Sequence, residues 1–197
     1  MILLAPLILA SASPRRKSLL AAMGFDFTCL PAHLNEDPFP NESPTDMACR
    51  LAVEKASTIA KNNETALVLG SDTTVVLDGK MLGKPATEAE AITMLRLLSG
   101  RTHEVITSVA LVHNASSRCV VEPSSTSVKF DTLDDARIKE YVASGSPMDK
   151  AGSYGIQDDQ GAFFVREIHG DYYTVVGLPL NLLHRMLTGS FKDLIGK

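Results

Sequence analysis

The strongest constraint on the fold lies near the start of the chain, where an apolar run at residues 7–10 is followed at once by Ser-Ala-Ser-Pro-Arg-Arg at residues 11–16. Proline fits the first turn of a helix, because its missing N–H would have no partner there and its φ angle is already helical. Pro14 therefore predicts that a helix begins here, after a buried strand and a short serine-containing loop.

The same loop collects groups that bind anions. The first N–H groups of the predicted helix have no partners within the helix, and a phosphate satisfies them well. We expect the hydroxyls of Ser11 and Ser13 and the guanidinium groups of Arg15 and Arg16 to face the same point. The stretch therefore predicts a cradle for a triphosphate. An ordinary serine-capped helix with solvated arginines explains it equally well.

The overall composition limits what this site can bind. The 197 residues include 19 Lys and Arg against 23 Asp and Glu, which gives a net charge of -4. A nucleic-acid-binding domain is normally basic, so we expect no nucleic-acid partner and only a local anion site. Cys29, Cys49 and Cys119 match neither a disulfide framework nor a zinc spacing, which favours a reducing, cytoplasmic location.

Residues 1–12 imitate a secretory signal peptide, since they are apolar and end in Ala-Ser-Ala. They lack a basic start and are interrupted by Pro6, and cleavage would leave the cationic loop at the new terminus. We therefore expect no secretion. No other segment approaches the ~18 apolar residues of a membrane helix, so we also expect a soluble protein without a membrane partner.

The rest of the chain alternates helical and strand patterns, which predicts an α/β fold with a mixed sheet and flanking helices. Helices are expected at residues 15–23, 44–62, 88–98, 133–144 and 180–187, with N-caps at Ser43, Thr87 and Thr132. Strands are expected at residues 7–10, 25–30, 66–70, 74–77, 80–82, 102–113, 118–130, 163–168 and 172–176. We expect a proline-rich loop at residues 31–44 and a loose tail after residue 189.

Asp72 is the first candidate for chemistry. It follows the strand predicted at residues 66–70, so its carboxylate should emerge at the carboxyl edge of the sheet, where α/β proteins bind ligands. Beside phosphates, such a carboxylate holds a divalent cation or positions water. A turn aspartate that bonds its own backbone is the alternative.

Lys84 precedes a proline and should project from a loop, while Lys55 lies on a helix; each alone is typical of surface charge.

General nucleotide and hydrolase motifs are absent from the sequence. Residues 79–85 resemble a P-loop, but their glycines are one residue too close and a proline replaces the magnesium-binding Ser or Thr. There is no G-x-G-x-x-G, zincin or G-x-S-x-G pattern, and the five histidines are more typical of core or surface residues than of ligands.

Seven blocks of sequence nevertheless occur in an order that resembles one family, the Maf nucleoside triphosphate pyrophosphatases. The blocks are ASASPRR at residues 10–16, RLAVEKA at 50–56, GSDT at 70–73, GKP at 83–85, LSGRTH at 98–103, DKAGSYGIQ at 149–157 and VVGLPL at 175–180. The resemblance runs from about residue 7 to residue 187, so it implies a single Maf-like domain over residues 1–197.

The resemblance implies hydrolysis of a nucleoside triphosphate to the monophosphate and pyrophosphate with Mg²⁺ or Mn²⁺. The expected fold is similar to that of inosine triphosphate pyrophosphatases, with two lobes around a central cleft, and a homodimer is possible in such a family. By position, Asp72 matches the catalytic residue, and Glu36 with Asp72 matches the metal site. The residues that match the substrate-binding positions are Ser11, Ser13, Arg16, Lys55 and Lys84.

The family includes members that prefer dTTP and UTP and others that prefer 7-methyl-GTP. Arg15, Thr73 and Gln157 resemble the first type. A glutamine amide both donates and accepts, so it can pair with the N3–H and a carbonyl of uracil or thymine. Asp158 stands where the family usually has Gly, which affects the loop near the base, and Thr174 stands where Asn is common, a change we expect to be minor.

Two hypotheses of different classes follow. The first is an enzyme that removes dTTP, UTP or modified pyrimidine triphosphates, with the 7-methyl-GTP type as its variant. The second is a non-catalytic nucleotide-binding regulator of cell division, which the family's association with septum formation suggests. Asp72, Lys55, Lys84 and Glu36 are all present, and this favours catalysis, because a sensor needs no hydrolytic carboxylate.

Overall fold

The computed structural model describes residues 1–157 and 160–196. In this described part of the chain, seven strands form one sheet in the order β2-β1-β3-β5-β6-β7, with β4 paired to β3. The strands are β1 (Leu7–Leu9), β2 (Phe27–Cys29), β3 (Leu67–Leu77), β4 (Lys80–Leu82), β5 (Thr102–His113), β6 (Arg118–Phe130) and β7 (Val165–His169). The helices are α1 (Pro14–Ala22), α2 (Pro44–Ala60), α3 (Glu88–Leu98), α4 (Asp135–Ala143), α5 (Tyr172–Val176) and α6 (Leu180–Ser190).

The sheet is mixed, as the sequence predicts. β1 pairs in parallel with both β2 and β3. The β3–β4 and β6–β7 pairs are antiparallel. A tight turn joins β3 to β4, whereas a long segment that contains α4 connects β6 to β7. The parallel β1–β3 pair needs the crossover that contains α1, β2 and α2. The predicted class, α/β with a mixed sheet and flanking helices, is therefore confirmed.

The contacts divide the chain into two compact units. The first contains Met1–Asp72, Thr107–Ser124 and Gly177–Lys197, and the second contains Thr73–Ile106 and Ser125–Val176. Strands β3, β5 and β6 contribute residues to both units.

The core of the first unit lies on both faces of its strands. Leu7 and Leu9 of β1 pack with residues of α6, while Ile8 between them packs with the alanines of α2. This division follows from the alternation of side chains along a strand. In the second unit, an aromatic cluster is fully or nearly buried; it consists of His103, Phe130, Tyr141, Tyr154 and Phe164.

Gly70 does not end a strand, as the sequence suggests, but lies inside β3. A Cβ atom at this position would lie 2.2 Å from the carbonyl oxygen of Ala52 and 2.9 Å from the backbone nitrogen of Ala56. The glycine therefore lets α2 pack directly on the strand. The close approach of another backbone is a common reason for glycine inside a strand. The prediction that Asp72 follows the end of a strand is wrong as a consequence, because β3 continues through it to Leu77.

Residues 172–176 form the helix α5 rather than the predicted strand. Their Tyr, Thr and Val side chains favour strands, but Asp171 supplies local capping bonds that a strand would lose. Its carboxylate accepts the backbone N–H of Tyr173 at 3.1 Å and the hydroxyl of Thr174 at 3.2 Å. Local side-chain bonds to the backbone therefore outweigh strand propensity here.

The predictions for the N-cap of α4 and for the C-terminal tail are also wrong. The N-cap of α4 is Asp134, which accepts the N–H of Arg137 at 2.8 Å, rather than Thr132. The tail after residue 189 is packed rather than loose: α6 runs to Ser190, Phe191 is fully buried, and Ile195 forms a β-bridge with Leu3. The apolar side chains of this tail complete the first unit's core.

The other predicted N-caps, Ser43 and Thr87, are confirmed. Ser13 caps α1. The three cysteines are free. Within residues 1–157 and 160–196, no helix has the length and apolar character needed to cross a membrane.

Candidate active site

The serine loop between β1 and α1 caps the helix, as the alternative interpretation of this stretch has it. Ser13 caps α1, and its hydroxyl accepts the backbone N–H of Arg16 at 3.4 Å. The buried hydroxyl of Ser11 accepts the N–H of Ser13 at 3.1 Å and an Nη1 hydrogen of Arg16 at 3.4 Å. Ser11, Ser13 and Arg16 therefore lie together at the start of α1.

Arg16 is also held from a distant part of the first unit. Its Nε donates to the carbonyl oxygen of Gly177 at 2.9 Å, and the fully buried hydroxyl of Ser71 donates to the same oxygen at 3.2 Å. This carbonyl thus fixes the guanidinium over the serine loop. The sequence does not predict the roles of the Gly177 carbonyl and the Ser71 hydroxyl. A carbonyl oxygen carries no residue-type signal, and Ser71 stands out only as part of the GSDT block.

A lysine between two carboxylates forms the second part of the site. The Lys55 ammonium lies 2.7 Å from Asp72 Oδ1 and 2.7 Å from Glu36 Oε1. The Lys55 and Asp72 side chains are 9% and 11% exposed, whereas Glu36 is 45% exposed. Because alternate residues of a strand share a face, Asp72 points to the same side as Gly70, against which α2 packs. The close helix approach thereby brings Lys55 to Asp72.

The charges of these two parts act on each other. Burial lowers the pKa of the Arg16 guanidinium, and the Asp72 carboxylate opposes that effect. The positive charge of Arg15 lowers the pKa further, and Glu36 raises it. The Arg15 and Arg16 cations and the Glu36 and Asp72 carboxylates therefore belong to one electrostatic group within the first unit.

The loop that carries Glu36 is fixed by Arg50 of α2. Two guanidinium nitrogens bind the two oxygens of Glu42, at 2.6 and 2.8 Å, and one also donates to the Asp37 carbonyl at 3.1 Å. The guanidinium carbon lies 3.9 Å from the centre of the Phe39 ring. The Arg50 hydrogen bond lowers the pKa of Glu42 to about 2. These contacts hold the loop beside a pocket of about 460 Å³.

The second unit carries the remaining predicted residues. Thr73 is half-buried in β3, Lys84 is exposed on the segment after β4, and Gln157 is exposed on the loop before β7. The predicted departure at Asp158 lies outside the described residues. Thr174 is fully buried and bonds to Asp171, so its hydroxyl has a local structural partner.

The comparisons with known proteins agree with the pattern of residues. The sequence model of a family described as Maf-like protein matches residues 6–190. The chain belongs to this family. A Salinibacter ruber relative named dTTP/UTP pyrophosphatase is 47% identical over 190 residues, which cover 96% of this chain and 93% of the relative. A Bacillus cereus relative of the same name is 49% identical over 181 residues, covering 92% of this chain and 93% of the relative.

A solved structure supports the fold of this Maf-like chain. The Staphylococcus aureus Ham1 protein superposes with a TM-score of 0.54 at 13% identity, covering 94% of this chain and 99% of that protein. At that identity the likeness shows the fold alone. It agrees with the mixed sheet and flanking helices described above.

Proposed function

We propose that this Maf-like protein hydrolyses nucleoside triphosphates, with dTTP and UTP as preferred substrates, to the monophosphate and pyrophosphate. The two relatives named dTTP/UTP pyrophosphatase support the substrate. The observation that carries the proposal is the first unit's arrangement of Lys55 between Asp72 and Glu36, electrostatically coupled to Arg16 at the serine loop. Cations and carboxylates grouped in this way are what phosphoryl transfer requires.

The serine loop binds the phosphates in this proposal. Ser11 and Ser13 offer hydroxyls at the start of α1, and Arg16 offers the positive charge of its guanidinium group. Lys55 and Lys84 add positive charge that stabilises the negative charge on the α-phosphate and on the leaving pyrophosphate. Arg16 is kept in place by the Gly177 carbonyl, so binding the substrate costs little reorganisation.

Asp72 activates the attacking water, which displaces pyrophosphate in line from the α-phosphorus. Lys55 donates to Oδ1 of this carboxylate, and this bond fixes the direction in which Oδ2 points. The role is either that of a general base or that of a metal ligand that positions the water. Both roles require the negative charge of Asp72.

A divalent cation fits this donor set. Among the described residues no group of three or more His, Cys, Asp or Glu is close enough to form a complete metal site. Mg²⁺ commonly uses one or two carboxylates and takes further oxygens from a substrate phosphate. Glu36 and Asp72, which share the Lys55 ammonium, are such a pair, and Mg²⁺ or Mn²⁺ there would neutralise charge on the triphosphate.

Base selection is assigned to Arg15, Thr73 and Gln157. The Gln157 amide would pair with the N3–H and a carbonyl of thymine or uracil. We further propose that residues 1–197 form one Maf-like domain that acts in the cytoplasm as a homodimer. Its partner is the nucleotide, and it binds neither nucleic acid nor a membrane. Three free cysteines and the absence of a membrane-length helix in the described chain support this setting.

The test is pyrophosphate release from dTTP, UTP, CTP, GTP and 7-methyl-GTP with Mg²⁺ or Mn²⁺, run in ¹⁸O-labelled water. The proposal predicts turnover of dTTP and UTP with the label in the monophosphate, because water attacks the α-phosphorus. Label in the pyrophosphate would refute that attack, and a preference for 7-methyl-GTP would refute the base assignment. Tight nucleotide binding without turnover would favour a regulator.

A further inference from the structure

The second unit buries a polar pair that the reaction does not use. Nε2 of His103 lies 2.7 Å from the hydroxyl oxygen of Tyr154, and the two residues are only 4% and 5% exposed. Nδ1 of His103 is buried with no hydrogen-bond partner in the described part of the chain. Burial lowers the pKa of His103 to about 4 and raises the pKa of Tyr154, so both side chains are neutral near pH 7.

This pair costs more free energy than apolar side chains would at the same place in the core. A neutral imidazole has one N–H and one acceptor nitrogen, and the phenol adds one hydrogen. In either tautomer, one of these two hydrogens finds no acceptor among the described residues. The surrounding rings, Phe130 at 5.0 Å from His103 and 4.7 Å from Tyr154, would suit apolar side chains equally well. A buried hydrogen bond between neutral groups adds little net stability, but it restricts where its two partners lie.

The geometry that it specifies is that of the loop leading to Gln157. Tyr154 begins the sequence Tyr-Gly-Ile-Gln, and the next backbone N–H, of Gly155, donates to the hydroxyl of Tyr141 at 3.2 Å. Gly161 packs on the other side, where a Cβ atom would lie 2.4 Å from the Gly155 carbonyl oxygen. Ile156 is buried as well. Each residue between the histidine's partner and Gln157 is therefore held from the core.

The same loop is tied to the segment that carries Lys84. The N–H of Gly152 donates to the carbonyl oxygen of Gly83 at 3.0 Å. Gly152 has a φ of +68°, and a Cβ atom there would lie 3.0 Å from both methyl groups of Val75. This position therefore requires glycine. One loop thus links the residue before Lys84, through Gly152, to the buried Tyr154 and on to Gln157.

We propose that His103 and Tyr154 are positioning residues for base selection, which fix the backbone that presents Gln157 to the nucleotide base. This inference rests on the proposed function, because it needs Gln157 to read the base. The buried hydrogen bond determines where Tyr154 lies, and the short buried stretch after it leaves Gln157 little freedom. Loss of that bond reduces the discrimination between bases more than it reduces the chemical step.

The first experiment removes one hydroxyl. Tyr154→Phe keeps the ring and deletes the bond to His103, and Tyr172→Phe, an exposed tyrosine of the same unit, is the matched control. We expect Tyr154→Phe to lower the ratio of kcat/KM for dTTP to that for CTP on the order of tenfold, mainly through a higher KM for dTTP, whereas the control keeps the wild-type ratio. Tyr141→Phe, which deletes the partner of Gly155, should change the ratio in the same direction.

The second experiment asks whether the effect passes through Gln157. If it does, Tyr154→Phe combined with Gln157→Ala has the same selectivity as Gln157→Ala alone, since the two changes remove one interaction. Multiplicative losses would overturn the inference. The inference would also be overturned if Gln157→Ala alters selectivity while Tyr154→Phe slows all nucleotides equally and leaves selectivity unchanged. If Gln157→Ala alone leaves selectivity unchanged, the base assignment of the proposed function fails and this inference fails with it.

Discussion

Buried His103 makes the stability of this protein depend on pH in a specific window. Its pKa in the folded protein is about 4, against 6.5 for an unburied histidine, because burial disfavours the charged form. Between these two values the unfolded chain binds a proton that the folded protein does not. The free energy of unfolding therefore falls as the pH drops below 6.5 and levels off below about 4.

The size of the effect follows from the width of that window. The two pKa values are about 2.5 pH units apart, and each unit corresponds to about 1.4 kcal/mol, so the full loss is between about 3 and 4 kcal/mol. About 3 kcal/mol of it is reached by pH 4, where the folded histidine is half protonated. This is a large share of the ~5–15 kcal/mol by which native proteins are stable. The measurement is urea unfolding at a series of pH values, with the free energy of unfolding extrapolated to water.

The matched variant is His103→Gln, which does not titrate and whose side-chain amide can still bond to the Tyr154 hydroxyl. Glu42, whose pKa Arg50 lowers to about 2, contributes its own loss of stability at acidic pH. That loss is common to both proteins and cancels in the difference. The account predicts that the wild type loses about 3 kcal/mol more than the variant from pH 7 to pH 4. Parallel pH profiles would refute the reasoning.

Three further predictions concern the first unit. Gly70→Ala places a methyl group against the backbone of α2, so urea unfolding should show a loss of about 1–3 kcal/mol or more, and an unchanged midpoint would contradict the packing described. Arg50→Lys loses the two-point bond to Glu42, so the Mg²⁺ concentration for half-maximal activity should rise while kcat is kept; Arg137→Lys, an exposed residue, is the control. Ser71→Ala deletes one donor to the Gly177 carbonyl, so KM for dTTP should rise with little change in melting temperature; an unchanged KM would show that Arg16 needs no such support.

The parts of the fold that the sequence predicts depend on local interactions. The caps at Ser13 and Ser43 bond to N–H groups three residues away, so residue type and spacing suffice to identify them. The long strands β5 and β6 can likewise be identified from the types of their own consecutive residues. Errors arise where a distant partner decides. Gly70 is a packing position rather than a stop only because α2 lies against it.

The candidate site divides in the same way. Ser11, Ser13 and Arg16 are near in sequence, and the sequence predicts that they lie together, but not the hydrogen bonds among them. The contact of Lys55 with Asp72 joins residues 17 positions apart on a helix and a strand, so only the resemblance to a family grouped them before the structure did. The bond between Arg16 and Gly177 spans 161 positions and ends on a carbonyl oxygen. No pattern of residue types encodes such a partner.

The most direct test of the account is the kcat for pyrophosphate release from dTTP in the Asp72→Asn variant. Asparagine keeps an oxygen that can accept from Lys55 but removes the negative charge that activates water. The matched control is Asp26→Asn, an exposed aspartate of the same unit. The account predicts a fall in kcat on the order of 10²-fold or more, with the variant folded and the control at the wild-type rate. A folded Asp72→Asn protein with the wild-type kcat would contradict it.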